Sequence, residues 1–531
     1  MSAAWNAAWR ERSLADLAAR DWDVIVVGGG ISGAGILREA ARRGWRCLLI
    51  EQRDFAWGTS SRSSKMVHGG LRYIAKGQFA LTRDSVHERQ RLLAEAPGLV
   101  DPLSFVMPHY QGQFPGPKVF GMLLRVYDAL AGKRAHEFYP KQSLSYLAPG
   151  LKAHELLGGT RFFDAVTDDA RLVMRVLGEA RADGGEALNG LKVVELIRAD
   201  GRVTGLLAED AETGQRLQFT AGVVAQATGA WADRLRKQQG GEHIRPLRGS
   251  HLLLPAWRLP LAHAFSFMHA SDRRPVFVFP WEGATVIGTT DLDHRDDIDL
   301  EARISADEVA YLLSACAQQF PQAHIDASDV LSTWAGVRPV VASAASSKNP
   351  SDEKREHVLW TEPGNVTLAG GKLTTFRLLA LEVLNACAPM LGKTISDHGS
   401  AVFRPVAVPV LADLTASQQR RLAGRYGGQL PLLLPLLEQL GNDCVGATDT
   451  LWAELAFAAE HELVLHLDDL LLRRTRLGLL LANGASAYLP RIRQLCQPRL
   501  AWSDERWEQE QQNYQTLWHR CYSLPTAPAQ Q

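Results

Sequence analysis

The chain has 531 residues, more than one hydrophobic core usually serves, so two or three domains are expected. Hydrophobic residues make up 46% and charged residues 22%, the balance of a soluble globular protein. The 58 basic and 58 acidic side chains cancel, which removes a bulk electrostatic case for nucleic acid, and none is expected as a partner.

Residues 1–20 read as a helical prelude with no hydrophobic leader core before Asp16. Trp5 and Trp9 stand one helical turn apart beside Arg10 and Arg12, as a small interfacial anchor or as a helix packed on its own protein. An apolar strand, Asp23 to Val27, then runs into Gly28-x-Gly30-x-x-Gly33, and a helix from about Ile31 to Arg43 stops at Gly44. A second strand, Arg46 to Ile50, ends on Glu51, eighteen positions after Gly33. Strand, turn, helix, strand and acid in register form the βαβ fingerprint of an adenine dinucleotide site. Gly28 permits the turn, Gly30 admits the pyrophosphate, and Gly33 allows close helix packing. The helix end carrying Ile31 and Ser32 meets the phosphates, and Glu51, with Gln52 beside it, meets the ribose. The fingerprint alone does not separate FAD from NAD.

A loop of small residues follows, Gly58-Thr59-Ser60-Ser61-Arg62-Ser63-Ser64-Lys65-Met66-Val67-His68-Gly69-Gly70-Leu71-Arg72-Tyr73. Its composition suits a linker, but the embedded Lys65, His68 and Arg72 point to a site. Residues 79–164 mix helices with Pro/Gly loops such as Phe114-Pro115-Gly116-Pro117, and Asp168-Asp169 opens another helix. Strands are expected at Lys192–Ile197, Val203–Ala208 and Val223–Gln226, the last ending near Gly229. The stretch 245–337 is mostly strand-like. A third strand-glycine-helix unit spans Val366 to Arg377 and carries Gly370, Gly371, Lys372, Leu373 and Thr374. In a doubly wound sheet the turns at Gly28, Gly229 and Gly370 gather at one edge, where the ligand binds.

After Pro405 the chain is Leu-rich and helical. Leu430 to Leu440 and Leu470 to Leu481 are read either as core helices or as exposed apolar surface. The six cysteines are scattered without a C-x-x-C pair, so reduced thiols and no metal site are expected.

Six ordered motifs together resemble the FAD-dependent, quinone-linked (aerobic) glycerol-3-phosphate dehydrogenases. They are Gly28 to Gly33, Thr59 to Tyr73, Arg248-Gly249-Ser250-His251, Ile287-Gly288-Thr289-Thr290-Asp291, Gly336-Val337-Arg338-Pro339 and Gly370 to Thr375. The resemblance is close from Asp23 to Arg377 and looser in the C-terminal part, at Leu470 to Gly478. Phe376 stands where the family often has Tyr, and Lys354-Arg355-Glu356-His357 fits the family pattern only from Arg355 onward.

The resemblance implies an α/β fold: a discontinuous, doubly wound FAD domain, an antiparallel-sheet substrate domain and a C-terminal helical domain. The FAD domain is expected at 21–78, 165–244 and 338–398, the substrate domain at 79–164 and 245–337, and the helices at 399–531. FAD is the implied cofactor and glycerol 3-phosphate the implied substrate; another polyol phosphate is the runner-up. A membrane quinone is the implied acceptor, with an O₂-using oxidase of the same fold as the alternative. The implied location is cytoplasmic, peripheral to the inner face of the membrane, with a homodimer as the candidate assembly.

Oxidising a phosphorylated secondary alcohol requires a phosphate pocket and a base. Arg72, Arg338 and Arg355 are the candidates for the phosphate, because arginine offers a planar fork that stays charged. Tyr73, Thr289 and Thr290 are placed in the same substrate cleft. His68 is the first candidate base and His251, also near the substrate, the second; an imidazole kept neutral by neighbouring cations suits the task. Lys372 at its glycine turn is read as the electrostatic partner of the reduced flavin. Thr59, Ser60, Ser63, Ser64, Lys65, Gly69, Gly70, Gly229, Gly370, Gly371, Leu373 and Thr374 complete the expected cofactor contacts.

Overall fold

A computed structural model describes residues 4–525 apart from 72–73, 75–76, 133–134, 237–242, 343–356, 397–398, 408–410 and 412. Arg72, Tyr73 and Arg355, expected in the substrate pocket, lie outside the described residues.

The first of two sheets has eight strands. Five run parallel, in the spatial order Asn365–Ala369, Arg216–Gln226, Asp21–Val27, Cys47–Ile50, Glu186–Leu188. Parallel strands are buried on both faces, which explains the unbroken apolar run of Val24, Ile25 and Val26, all fully buried. Alternate residues face opposite ways. Val24 and Val26 pack into a core with residues of the helices Ile31–Ala41, Asp169–Ala182 and Phe376–Cys387. Ile25 and Val27 pack with the N-terminal helix Ala7–Ala19 and the hairpin Leu191–Ala199/Arg202–Asp210. The glycine turns at Gly28, Gly229 and Gly370 therefore follow three adjacent parallel strands and meet at one edge.

The second sheet has ten strands, antiparallel except where Ala264–Met268 runs parallel to Val100–Tyr110. One of its two eleven-pair ladders joins His243–Pro255 to Ser332–Ala342 and sets Leu247 opposite Arg338. That strand runs straight through the boundary expected at residue 338, so Arg338 belongs to the second sheet. The small-residue loop is likewise stitched in: Met66 and Val67 pair with Val166 and Ala165. Within the stretch read as mostly strand lies the helix Ala306–Gln319, begun by a capping box of Ser305 and Glu308.

The C-terminal part is helical, and most of the leucines picked out above are core, Leu432 at 38% exposed being an exception. Leu430, Leu433, Leu436 and Leu437 are buried, as are Leu470, Leu471, Leu472, Leu477 and Leu479, which rules out the exposed-surface reading for those residues. A π-helical turn, Asp469–Arg474, delivers a run of arginines into the rest of the protein. Arg474 Nη1 and Nη2 each donate to Asp54 at 2.7 Å, Arg476 reaches Asp168 at 2.9 Å and also Asp169, and Arg171 forks onto Glu462. All these side chains are buried. Removing one member of such a pair typically costs about 3–5 kcal/mol, because a buried charge is left alone. The joint therefore fixes the helices rigidly against the first sheet.

The N-terminal helix packs one face, with Arg10, Leu14 and Leu17 buried, onto the protein. Trp5 stacks on Phe55 at 5.3 Å, the Arg181 guanidinium covers Trp5 and Trp9, and Arg10 pairs with Asp210 at 2.7 Å. The two tryptophans are packing groups and not an interfacial anchor. Among the described residues no helix is long and apolar enough to cross a membrane, and no cluster of His, Cys, Asp and Glu could hold a metal ion.

Candidate active site

Local sequence builds one end of the site. Gly28 adopts φ +111°, and a Cβ on Gly33 would lie 1.8 Å from the Gly28 carbonyl oxygen, so helix and turn can meet only without that carbon. The Gly29 N–H donates to Glu51 Oε2 at 2.6 Å and the Arg53 N–H to Oε1 at 2.9 Å. Burial raises the Glu51 pKa above the usual carboxylate range, against these two donors. Ser60 Oγ accepts the Ile31 N–H at 3.0 Å, tying the small-residue loop to the start of the helix.

From this turn a cleft runs along the sheet edge. Its lining includes Gly28, Gly30, Ile31, Ser32, Glu51, Gln52, Thr59, Ser60, Ser63, Gly229, Gly370, Gly371, Lys372 and Leu373. Fourteen residues expected to touch the cofactor thus share one continuous wall. An elongated groove with an acid at one end, a glycine turn at the middle and a lysine-bearing turn at the other fits a dinucleotide laid along it. The sequence reading missed Trp57, Lys192, Thr228, Trp231, Arg234 and Pro339, which also line it. Trp57 and Trp231 lie 5.9 Å apart; the adjacent Gly58 and Gly229 were the available signals.

Six expected cofactor residues are not part of that lining. Gly33 serves packing. Lys65 is fully buried and spent on Asp169 at 2.8 Å and on the Ser61 carbonyl, between the rings of Trp281 and Trp334. Burial pulls its pKa down to about 8, against Asp169. Ser64 Oγ lies 2.9 Å from His251 Nε2. The Gly69 N–H donates to Asp164, Gly70 makes a turn at φ +79°, and Thr374 Oγ1 donates to the His68 carbonyl at 3.2 Å. Lys65 is therefore a structural cation where a cofactor contact was expected, because its ammonium is fully buried and donates to Asp169 and the Ser61 carbonyl.

The second sheet closes the far end. Pro339 lines the cleft with Gly371 and Lys372, so Arg338 flanks that end. Arg338 Nη1 lies 3.4 Å from Asp291 Oδ1 and Nη2 3.3 Å from Thr289 Oγ1. Thr290, expected in the substrate cleft, is buried instead. Its hydroxyl donates to Glu308 at 2.7 Å and accepts the Ser250 N–H at 2.9 Å. Glu308 also accepts from Ser250 Oγ at 2.8 Å and pairs with Arg248 at 2.9 Å. Burial opposes the Glu308 charge, but the Thr290, Ser305 and Arg248 donors hold its pKa below the usual range. Glu308 was not picked out from the sequence, although Ser305-x-x-Glu308 is a readable capping box.

The two histidines differ. His251 is 1% exposed and stacks on Trp334 at 4.8 Å. Burial, with Arg338 and Lys65 nearby, drives its pKa well below the ordinary value, so the ring is neutral. His68 is half-buried, on the loop bonded to the turn that follows Lys372.

The family model described as FAD dependent oxidoreductase matches residues 23–375, and that of the C-terminal domain of alpha-glycerophosphate oxidase matches 365–507. The chain is 30% identical to the aerobic glycerol-3-phosphate dehydrogenase of Bacillus subtilis, over 96% of this chain and 97% of that protein. It is 33% identical to glycerol-3-phosphate dehydrogenase 2 of Mycobacterium bovis, over 97% and 91%. The crystal structure of the Bacillus halodurans glycerol-3-phosphate dehydrogenase complexed with FAD superposes with a TM-score of 0.77 at 27% identity, covering 97% of this chain and 98% of that one.

Proposed function

This chain belongs to the FAD-dependent glycerol-3-phosphate dehydrogenase family, and from that premise we propose that it oxidises sn-glycerol 3-phosphate to dihydroxyacetone phosphate and passes the electrons to a membrane quinone. FAD, when bound, supplies the acceptor for the C2 hydride at N5. The observation that carries the reading is the meeting, at one end of the cleft, of an arginine strand from the second sheet with the Gly370–Lys372 turn of the first. Arg338 holds the phosphate dianion by its fork, with Asp291 and Thr289 fixing the guanidinium. The resemblance gives Arg72 and Arg355 the same role, and both lie outside the described residues. Lys372 and the backbone N–H groups of its turn offset the negative charge gained on reduction.

His68 takes the hydroxyl proton of C2. His251, buried and neutral, fixes the Ser64 hydroxyl from behind. The protein works at the inner face of the cytoplasmic membrane, where a quinone is accessible. Anaerobic mixing with a panel of polyol phosphates tests the substrate: glycerol 3-phosphate should bleach the flavin fastest, and a preference for a longer polyol phosphate would reassign it. Turnover with a soluble quinone, against oxygen uptake without one, tests the acceptor. Peroxide formation at the quinone-linked rate would make the protein an oxidase.

A further inference from the structure

A second cleft, of about 660 Å³, opens on the substrate-domain sheet away from the dinucleotide groove and shares no lining residue with it. Four of its lining side chains, His109, Lys152, His154 and Arg273, carry or can carry positive charge; His109 is held by the Pro115 carbonyl and Thr160 and His154 faces Glu155 at 3.5 Å, which leaves Lys152 and Arg273, and among the described residues none lining the cleft is a carboxylate. Lys152 is built in: its N–H donates to the Gln319 carbonyl at 2.9 Å, its own carbonyl accepts from Tyr110, and its ammonium lies 5.4 Å from the Tyr110 ring centre. The Arg273 guanidinium pairs with no carboxylate among the described residues. Phe114, 72% exposed, and Met268, 37% exposed, add apolar surface to the same cleft. Lys152 and Arg273, with no carboxylate partner among the described residues, beside exposed apolar groups suit an anion attached to an apolar or aromatic body.

The cleft is also wired to the first site. Arg274, next to Arg273, donates to the Asp291 carbonyl at 2.8 Å, and the Asp291 carboxylate faces Arg338 at 3.4 Å. We infer that this cleft binds a phosphate-bearing organic ligand on Lys152 and Arg273, and that its occupant adjusts the Asp291–Arg338 pair. The inference rests on the proposed role of Arg338 only for its second half.

The test uses FAD-loaded protein. Calorimetry with ADP and with inorganic pyrophosphate measures binding without turnover, and co-sedimentation with phosphatidylglycerol vesicles, against phosphatidylcholine, separates a lipid headgroup from a soluble phosphate. Saturable binding of either source, weakened at least tenfold in Lys152→Ala/Arg273→Ala and in Met268→Glu, is expected. Flavin absorbance and melting temperature confirm that the variants fold. Absence of binding, or binding unchanged in both variants, overturns the site. A bound probe should shift the KM for glycerol 3-phosphate in wild type and not in Arg274→Gln. Binding without that shift overturns the coupling and leaves the substrate assignment, tested by bleaching, untouched.

Discussion

The two ends of the dinucleotide cleft are built in opposite ways. At the Gly28 end every essential group comes from residues 23–60, and the geometry follows from where glycines stand between two strands. At the Arg338 end the groups come from residues 68, 251, 291, 308, 338 and 372, brought together by strand pairing in the second sheet and by the sheet edge of the first. The first end is a motif, the second an assembly. A motif tolerates no change in its few backbone contacts, whereas an assembly shares its load among several side chains, each with a graded effect.

The sharpest break of the comparison is Gly33→Ala. The new Cβ meets a backbone oxygen at 1.8 Å, and neither the strand nor the helix can withdraw without losing its packing. The variant should yield no FAD-loaded protein, read as the ratio of flavin to protein absorbance. Gly184→Ala is the control: it adds the strain of a positive φ that Gly33 lacks, but nothing lies within 4 Å of a Cβ there, so FAD should be kept. Full flavin occupancy in Gly33→Ala would show that the turn is not rigid.

His68→Ala comes next. It should slow flavin reduction by about 10²–10⁴-fold, the range for loss of a general base, while FAD stays bound. The low-pH limb of the reductive rate should disappear. His251→Ala should leave that limb in place. Because the His251 pKa is driven well below its ordinary value, any limb belonging to it would lie well below pH 6.5. A limb lost only in His251→Ala would transfer the role.

What could be read in the sequence follows the same division. The glycine turn, Glu51, the strand order implied by three turns, and the lining contributed by Thr59, Ser60, Gly370 and Lys372 all lie in short motifs whose physics is local. Lys65 and Thr290 lie in equally clear motifs, yet they are spent on Asp169 and Glu308, partners 104 and 18 residues away. A polar residue in a motif signals a site, but which side of the wall it faces is decided by partners remote in sequence. Arg338 was legible as a candidate, while its sheet was not, because an eleven-residue pairing between segments about ninety residues apart leaves no local trace.

A graded effect is expected at Glu308→Gln. The amide removes the charge that Arg248 pairs with and spoils acceptance from Thr290 and Ser250, the chain neighbours of Asp291 and His251. A hydrogen bond to a charged group is worth about 1.5–3 kcal/mol, so KM should rise roughly tenfold or more. Since Glu308 does not line the cleft, FAD content should be unchanged and kcat should fall less than KM rises. Loss of FAD instead would mean that the substrate end also supports the motif end.

The smallest effect tests whether remote assembly stays graded where it is partly wet. His466, with 42% of its side chain exposed, bridges Glu212, in the turn between the first-sheet strands Arg202–Asp210 and Arg216–Gln226, at 3.2 Å and Glu510 on the C-terminal helix Asp504–Cys521 at 3.1 Å. Burial opposes its charge, but the two carboxylates carry its pKa up to about 11. A pKa raised in the folded state contributes stability that is fully present below the unfolded value, near 6.5, and is lost as pH rises towards 11. His466→Gln should therefore lower the melting temperature more at pH 6 than at pH 9, by a modest amount because solvent screens the pair. A deficit that grows with pH would mean that His466 is held there by packing rather than by charge, and that the contact between turn and helix does not depend on its proton.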